Sequence, residues 1–295
     1  TALAGNAIGA GQREEARLIA ARGICFGIII SLLLMVAAWF AGPELIKLVS
    51  TEGAYRDAGT QYFLFLILAL PAFVMSFGLN GLLQSQGDTV SMQRAQIAAF
   101  FANIALNPVL VFGIPGIWDG VGFNGIAVST VLSQTGVMVY VAYRLMQTEL
   151  MHGVTGSCFR PEKSTYIDIT KQMLPVTMTM FVMMSAGFIV QFYLKSFGTA
   201  AVAAYGVALR VEQLFLLPVF GLTGALLPIA AQNYGAGKHE RVRQALFDCW
   251  KFGWMFMALA CPILFFASPL LMRTFTPDPE VISIGVSYLR VDGFI

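Results

Sequence analysis

Residues 23–42 run for twenty positions without a charged side chain. A helix of about twenty residues is long enough to cross the hydrocarbon core of a bilayer, which is about 30 Å thick. Because backbone amides and carbonyls in lipid must bond within their own segment, such a run is predicted to be helical. Similar apolar stretches are found at residues 61–83, 95–113, 122–143, 172–194, 201–233 and 252–272. The sequence therefore predicts an all-α polytopic membrane protein.

The chain contains an internal repeat with an offset of 226 residues. Residues 9–69 and 235–295 align without gaps and are identical at 14 of 61 positions. Two copies of so long a unit are typical of secondary transporters, which are built from pseudo-symmetric halves. Residues 1–8 resemble the end of a helix, and a further apolar run begins near residue 284. We therefore expect a fragment, from the end of helix 2 to the start of helix 10, of a parent with two pseudo-symmetric six-helix lobes and about twelve helices in all.

The polar stretch at residues 147–171 separates two groups of apolar runs. We predict an amino-terminal lobe at 1–146, an inter-lobe linker at 147–171 and a carboxy-terminal lobe at 172–295. If successive loops alternate between the two faces of the membrane, one face holds twelve lysine and arginine residues and the other holds five. The positive-inside rule then places the linker and both repeated Gly-Ala-Gly loops in the cytoplasm. This predicts a multi-pass protein of the inner (cytoplasmic) membrane.

Charge and composition argue against several other classes of protein. A net charge of +2 gives no indication of a nucleic-acid partner, and the four cysteines lack metal-ligand spacing. His152 and His239 both lie in predicted loops, where they fit a solvated surface, and no nucleophile with a neighbouring base indicates an enzyme. We expect a monomer in the lipid bilayer that holds no cofactor and no metal.

Each copy of the repeat contains the same Gly-Ala-Gly loop after an apolar run. Gly9, Gly11, Gly235 and Gly237 are predicted to end the helices there, because glycine adopts the left-handed conformation at little cost. The charged turns that follow are expected at the level of the lipid headgroups. A phosphate-binding loop is not favoured, since no strand precedes the glycines and no Lys-Ser pair follows them.

Two asparagines stand one helical turn apart in the apolar run at residues 95–113. Asn103 and Asn107 are predicted to share a helix face, and Pro108 adds the unpaired carbonyl of Ile104 nearby. Amides in a bilayer need polar partners, and three side chains of the next run are candidates for them: Ser129, Thr130 and Gln134. The group is interpreted either as part of a cation or proton site lining an amino-lobe cavity or as an interhelical hydrogen bond worth about 0.6 kcal/mol.

Charged residues inside spans of the carboxy-terminal half are a second signal, because each costs at least about 2.5 to 3.5 kcal/mol to insert. Arg210 and Glu212 are two positions apart, so they point to different sides of their helix and are not a simple pair. Glu212 is interpreted as a cation or proton site or as a hydrogen-bonded structural group. Asp292 is a candidate for the same cavity or for a place near the outer headgroups.

Methionines and prolines in the spans suggest an adaptable cavity. Met180 and Met183 are candidates for a drug-binding wall, with lipid-facing or interhelical packing as the alternative. A proline inside a helix removes one amide and frees a carbonyl, which is tolerated in a membrane where protein or water satisfies it. Pro71, Pro108 and Pro218 are therefore predicted to be hinges or kinks, with simple packing kinks as the alternative.

Two longer stretches resemble the multidrug and toxic compound extrusion (MATE) family. Residues 208–246 resemble its eighth helix and the following loop, and residues 78–113 resemble its fourth-to-fifth helix region. The resemblance implies a twelve-helix antiporter that expels amphiphilic, often cationic compounds against H+ or Na+. It also implies that Asn107 matches an aspartate of many members, within an amino-lobe site that includes a first-helix aspartate.

The resemblance also bears on the branch of the family and on the substrate. One branch has a seventh-helix glutamate at the position matched by Met183, so this chain resembles the DinF-like branch more closely. The alternative function is a lipid-linked oligosaccharide flippase of the same superfamily. Such a flippase needs a basic cavity for a pyrophosphate, for which Arg210 is the one candidate inside a span.

Overall fold

A computed structural model describes residues 1–49 and 54–293, apart from the side chains of residues 48, 49, 54, 55 and 292. Its α-helices are α1 (Ala2–Gly9), α2 (Arg13–Val49), α3 (Ala54–Leu68), α4 (Leu70–Gln84), α5 (Ser91–Phe112), α6 (Asn124–Met146), α7 (Lys163–Leu194), α8 (Thr199–Gly235), α9 (His239–Phe266), α10 (Ser268–Arg273) and α11 (Pro279–Asp292). Seven helical segments in the described part are long and apolar enough to cross a membrane. The predicted all-α polytopic fold is confirmed.

Two apolar runs that the sequence predicted as single helices are each broken. The run at 61–83 is divided between α3 and α4 at Ala69, whose amide donates to the carbonyl of Leu66 in a tight turn. Pro71 lies in the first turn of α4, where its missing amide costs nothing. The run at 252–272 divides in the same way before Pro269, which lies in the first turn of α10. Pro108 and Pro218, by contrast, lie inside the continuous helices α5 and α8.

Two helices begin earlier in the chain than their apolar runs. Helix α7 begins at Lys163 and not near the start of the run at 172–194, so Pro175 is an interior residue of that helix. Helix α11 begins at Pro279 and not near residue 284. The carboxylate of Asp278 caps α11 by accepting from the amide of Glu280 at 2.9 Å, a local signal that hydropathy does not register.

Contacts divide the chain into two compact units, of which unit 1 comprises Thr1–Ile169 and Ala231–Gly237. Within unit 1, α6 packs against α5, α4 and α3, and α2 packs against α4 and α3. Small residues such as Ala16 and Ala20 of α2 are fully buried beside Leu83 of α4 and Val141 of α6. Small side chains let helix backbones approach closely, which suits packing in lipid.

The segment between α6 and α7 lies against unit 1. Leu150 is buried in its core, and Arg13 at the start of α2 forms an ion pair with Glu149 at 3.2 Å. Arg22 of α2 donates to Glu162 and, at 3.2 Å, to Thr165 in the first turn of α7. Residues 147–169 therefore belong to unit 1, while the predicted lobe boundaries stay a prediction.

Unit 2 comprises Thr170–Ala230 and Lys238–Ile295. Its core is built on a stripe of α8 in which Ala204, Ala208 and Val211 recur at helical spacing. These residues cluster with apolar side chains of α9, α10 and α11, which are Leu264, Met272, Val281 and Leu289.

The Gly-Ala-Gly loops fold partly as predicted. Gly11 and Gly237 have φ values of 75° and 70°, so each adopts the left-handed conformation two residues after a helix end. Gly9 and Gly235 were predicted to do the same, which is wrong: they are the last residues of α1 and α8 and keep helical conformation. Glycine is needed at these two positions for a different reason, which is close approach between the helices.

Candidate functional site

Three polar side chains of α5 and α6 form a closed ring of hydrogen bonds. Nδ2 of Asn107 donates to Oδ1 of Asn103 at 2.9 Å, and Nδ2 of Asn103 donates to Oγ of Ser129 at 3.2 Å. The hydroxyl of Ser129 has one hydrogen and two acceptors within reach, Oδ1 of Asn107 and, at 2.9 Å, the carbonyl of Ile126, and donation to Asn107 closes the ring. The two asparagines share a face of α5 because they are four residues apart, and Ser129 on the facing side of α6 is fully buried. We call these three residues the amide ring.

The amide ring does not use every donor that its members carry. Each asparagine amide nitrogen has two hydrogens, of which the ring uses one. The second hydrogen of each amide can therefore donate to another acceptor, such as a carboxylate or a substrate carbonyl. Neither asparagine can itself gain or lose a proton near neutral pH.

The other two predicted partners lie beside the ring and not in it. Thr130 turns back to its own helix, where its hydroxyl donates to the carbonyl of Ile126 at 3.0 Å. Among the described residues, Oε1 of Gln134 and Oγ of the neighbouring Ser133 are buried without a hydrogen-bond partner. Ser133 was not singled out from the sequence, and a buried hydroxyl with no partner carries the cost of desolvation.

A cavity of about 470 Å³ lies between α5 and α6. Its lining is almost entirely apolar and small, with one charged side chain, and consists of Arg94, Ala95, Ala98, Ala99, Ala102, Leu106, Leu132, Ser133, Gly136, Val137 and Tyr140. Ala102 and Leu106 directly precede Asn103 and Asn107 in α5, but none of the three residues of the amide ring is part of the lining. A mostly apolar cavity with a few polar groups is the usual form of a small-molecule site.

The amino-terminal end of α5 is fixed by an acidic cap. The carboxylate of Asp88 accepts from the amide and the hydroxyl of Ser91, at 2.9 and 2.6 Å, and from the amide of Val90 at 3.1 Å. Arg144 of α6 donates to Ser91 at 3.1 Å and forms an ion pair with Asp88 at 3.5 Å. Partial burial raises the pKa of Asp88, but these hydrogen bonds outweigh it and hold the pKa below its ordinary value.

In unit 2, Glu212 has a partner that the sequence did not indicate. The hydroxyl of Tyr288 in α11 donates to Oε2 of Glu212 in α8 at 3.3 Å, and Tyr205 packs edge-on against the Tyr288 ring at 5.5 Å. Arg210 is exposed, whereas Val211, which lies between Arg210 and Glu212, is fully buried. This agrees with the prediction that Arg210 and Glu212 point to different sides of their helix. One indication from the sequence that Tyr288 matters is that the repeat matches it with an identical residue, Tyr62.

The remaining candidates of the carboxy-terminal half are not drawn into a cluster. The exposed fractions of Met180 and Met183 are 47% and 52%, and no residue of α7 is buried within the described part. Asp292 is the last residue of α11, and its side chain lies outside the described residues.

The seven helical segments that are long and apolar enough to cross a membrane define a multi-pass membrane protein. The sequence profile of one family of such proteins matches the chain. The MatE profile matches residues 1–109 and 175–294, which together exceed half of the chain. The chain belongs to the MatE family, so the resemblance predicted from the two motif stretches is confirmed.

Curated relatives agree with this assignment. The probable multidrug resistance protein NorM of Thermotoga maritima is 25% identical, with 99% of this chain and 63% of that protein covered. The FAD transporter of Shewanella oneidensis is 27% identical, with 97% of this chain and 63% of that protein covered. The chain therefore spans less than two thirds of the length of these relatives.

Solved structures show the same fold. A crystal structure of MATE in complex with MaD5 superposes with a TM-score of 0.88 at 22% identity, covering 99% of this chain and 65% of that one. An outward-facing conformation of a multidrug resistance MATE family transporter of the MOP superfamily superposes with a TM-score of 0.87 at 21% identity, covering 99% of this chain and 64% of that one. At these identities the likeness concerns the fold.

Proposed function

We propose that the full-length protein is a secondary active exporter of amphiphilic organic compounds, driven by exchange with H+ or Na+. The observation that carries this proposal is that α5 and α6, two membrane-spanning helices, hold both the amide ring and the residues that line an apolar cavity. The cavity accepts the apolar part of a compound, and the ring supplies donors that are costly to place in lipid without a function. Export as the direction of transport rests on the likeness to relatives named for multidrug resistance.

The amide ring positions and solvates a charged group and does not itself carry the charge. In the family resemblance, that group is an aspartate of the first helix. The unused amide hydrogens of Asn103 and Asn107 fit the oxygens of such a carboxylate, and Ser129 fixes their orientation. Binding of H+ or Na+ to the aspartate would then change the hydrogen bonds that these amide hydrogens donate. This change couples ion binding at the aspartate to compound binding in the cavity.

Glu212 forms a second polar cluster, in unit 2, with Tyr288 and Tyr205. We place its carboxylate in a supporting role, as a second site that binds a cation or proton. The matched seventh-helix position, Met183, is apolar, so unit 2 lacks the glutamate of the other branch. This favours the DinF-like branch and an amino-lobe coupling site.

The substrate class follows from the cavity lining. One charged side chain, Arg94, lines a cavity that is otherwise apolar apart from Ser133 and Tyr140. A pyrophosphate-linked sugar needs several cations, so the lining does not favour the flippase alternative. The relatives include both multidrug proteins and an FAD transporter, and we propose amphiphilic compounds in general, with cationic dyes as the first probes.

Efflux from cells tests the role of the ring. Cells that express the full-length protein are loaded with an amphiphilic cationic dye, and dye loss is followed by fluorescence. We expect wild-type export to be abolished by Asn107→Leu, which removes both the donor to Asn103 and the acceptor for Ser129.

Asn124→Leu is the matched control. Asn124 is half-buried at the start of α6, where its amide donates to Gln61 at 3.3 Å. The same change of side chain there should leave export intact. Export at the wild-type rate by Asn107→Leu, with normal membrane insertion, would remove the ring from the mechanism.

A further inference from the structure

One side of α9, in unit 2, carries a row of exposed side chains. The row consists of Arg243, Phe247, Trp250 and Trp254, which follow one another at spacings of four, three and four residues and so project from the same side of the helix. All four side chains are exposed, and the rings of Trp250 and Trp254 pack edge-to-face with their centroids 6.2 Å apart. We call these four residues the α9 face.

The cation of the α9 face is drawn toward its aromatic residues. The central carbon of the Arg243 guanidinium lies over the ring of Phe247, 5.6 Å from the ring centroid. Helical side chains ordinarily point back toward the amino terminus, so this cation–π contact places the charge about one turn closer to the apolar part of α9. In the described part of the chain, no carboxylate forms an ion pair with Arg243.

The charges and the tryptophans mark where α9 enters the membrane. Residues 238–251 contain four lysine and arginine residues and two acidic ones, whereas residues 252–272 contain no charged side chain. Tryptophan is enriched at the membrane–water interface, and Trp250 stands at the boundary between the two stretches. Phe247 is then about 4.5 Å outside this level, within a headgroup layer of about 5 to 7 Å. The Arg243 guanidinium over Phe247 therefore lies at the height of the lipid phosphates.

The first copy of the repeat has the same helix side under protein cover. With the offset of 226 residues, Arg17 of α2 matches Arg243, whereas Ala21 matches Phe247. Ala21 is fully buried, and the segment between α6 and α7 packs against α2. Arg17 forms an ion pair with Glu14. In unit 1 this side of the helix therefore has a small residue for close packing, and its cation has a carboxylate.

We propose that the α9 face binds an anionic phospholipid. The guanidinium of Arg243 donates to the lipid phosphate, for which arginine offers two parallel N–H donors. The aromatic rings lie along the upper part of the acyl chains, because large aromatic residues suit the lipid interface whereas small residues suit contact between helices. Binding of this lipid goes beyond the proposed transport function and does not depend on it.

Lipid retention by the purified full-length protein tests the site. The protein is mixed in detergent with equal amounts of phosphatidylglycerol and phosphatidylcholine, and bound lipids are counted by native mass spectrometry. We expect preferential binding of phosphatidylglycerol, and Arg243→Gln should weaken the affinity for it about fivefold. Phe247→Leu should also weaken it, because leucine keeps an apolar side chain but removes the ring that holds the guanidinium.

Arg241→Gln is the matched control. Arg241 is exposed on the same turn of α9, but it lies two residues from Arg243 and therefore points to another side of the helix. The same loss of charge there should leave the affinity for phosphatidylglycerol unchanged. Equal losses in Arg241→Gln and Arg243→Gln would reduce the effect to general attraction between a basic segment and anionic lipid, and would overturn the site.

Tryptophan fluorescence shows what covers the α9 face in a membrane. The emission of Trp250 is obtained as the difference between the wild type and Trp250→Phe. In liposomes of phosphatidylglycerol brominated on its acyl chains, this emission should be quenched relative to liposomes of the unbrominated lipid. Emission that bromine does not change would mean that protein covers the face, which would overturn the proposal. Neither experiment measures export, so a protein that exports no dye can still bind the lipid.

Discussion

The hydroxyl of Ser129 in α6 donates to the side-chain carbonyl of Asn107 in α5. This contact closes the amide ring, because Asn107 donates to Asn103 and Asn103 donates back to Ser129. Three side chains thereby satisfy one another inside a membrane-spanning bundle, while two amide hydrogens stay available for a further acceptor.

Removal of the Ser129 hydroxyl should destabilise the protein, whereas removal of the Ser133 hydroxyl should not. Ser129→Ala breaks two hydrogen bonds of the ring and should lower the free energy of unfolding by about 0.5 to 1.5 kcal/mol. Ser133→Ala, one turn further along α6, removes a buried hydroxyl that has no partner in the described part and should be neutral or stabilising. Thermal unfolding in detergent measures both, and equal losses of stability would contradict the ring.

An ionisable group at position 107 should make transport depend on pH in a new way. Asn107→Asp keeps an acceptor for Ser129 and, when protonated, a donor toward Asn103, so transport should be retained. A carboxyl group titrates where the amide does not, and the pH profile of dye export should shift relative to the wild type. An unchanged profile in a transporting variant would show that position 107 lies outside the coupling site.

The charge on Arg94 should influence the choice of substrate. Arg94 is the one charged residue that lines the cavity, so Arg94→Gln should raise the rate for a cationic dye relative to an anionic dye of similar size by roughly fivefold. Arg144→Gln makes the same change of charge outside the lining, where Arg144 contacts Asp88 and Ser91. If both variants change the ratio of the two rates alike, the cavity does not select by charge.

The Asp88 cap should make stability fall in acid. The pKa of Asp88 is lower in the folded protein than its ordinary value, so its contribution to stability is fully present above about pH 4 and is lost as the pH falls through the lowered pKa. Asp88→Asn should cost about 1 kcal/mol at neutral pH. The difference between variant and wild type should shrink in acid, and a difference that is constant with pH would refute the ionised cap.

The fold was predictable where one local property decides it. Long apolar runs without charge indicated the membrane-spanning segments, because lipid leaves helix as the only local way to pair the backbone. The break at Ala69 was missed, since Pro71 inside an apolar run is equally compatible with a kink. Gly9 and Gly235 were assigned to the left-handed conformation because sequence alone does not show which backbone lies nearby.

The candidate site was predictable only within one helix. A spacing of four residues placed Asn103 and Asn107 on one face, but the rotation of α6 decided that Ser129 and not Thr130 meets them. Adjacent residues on a helix point about 100° apart, and no local pattern sets that rotation. The contact of Tyr288 with Glu212 joins residues 76 positions apart, which hydropathy and spacing do not reveal.

Transport by purified full-length protein in sealed liposomes tests the central claim most directly. Vesicles without ATP are loaded with an amphiphilic cationic dye, and a proton or sodium gradient is imposed across the membrane. We expect one of these ion gradients to drive dye against its own concentration gradient. An ionophore that collapses the ion gradient should stop this movement, and Asn107→Leu should abolish it. Dye movement that persists after both gradients are collapsed, or that requires ATP, would contradict an ion-coupled antiporter.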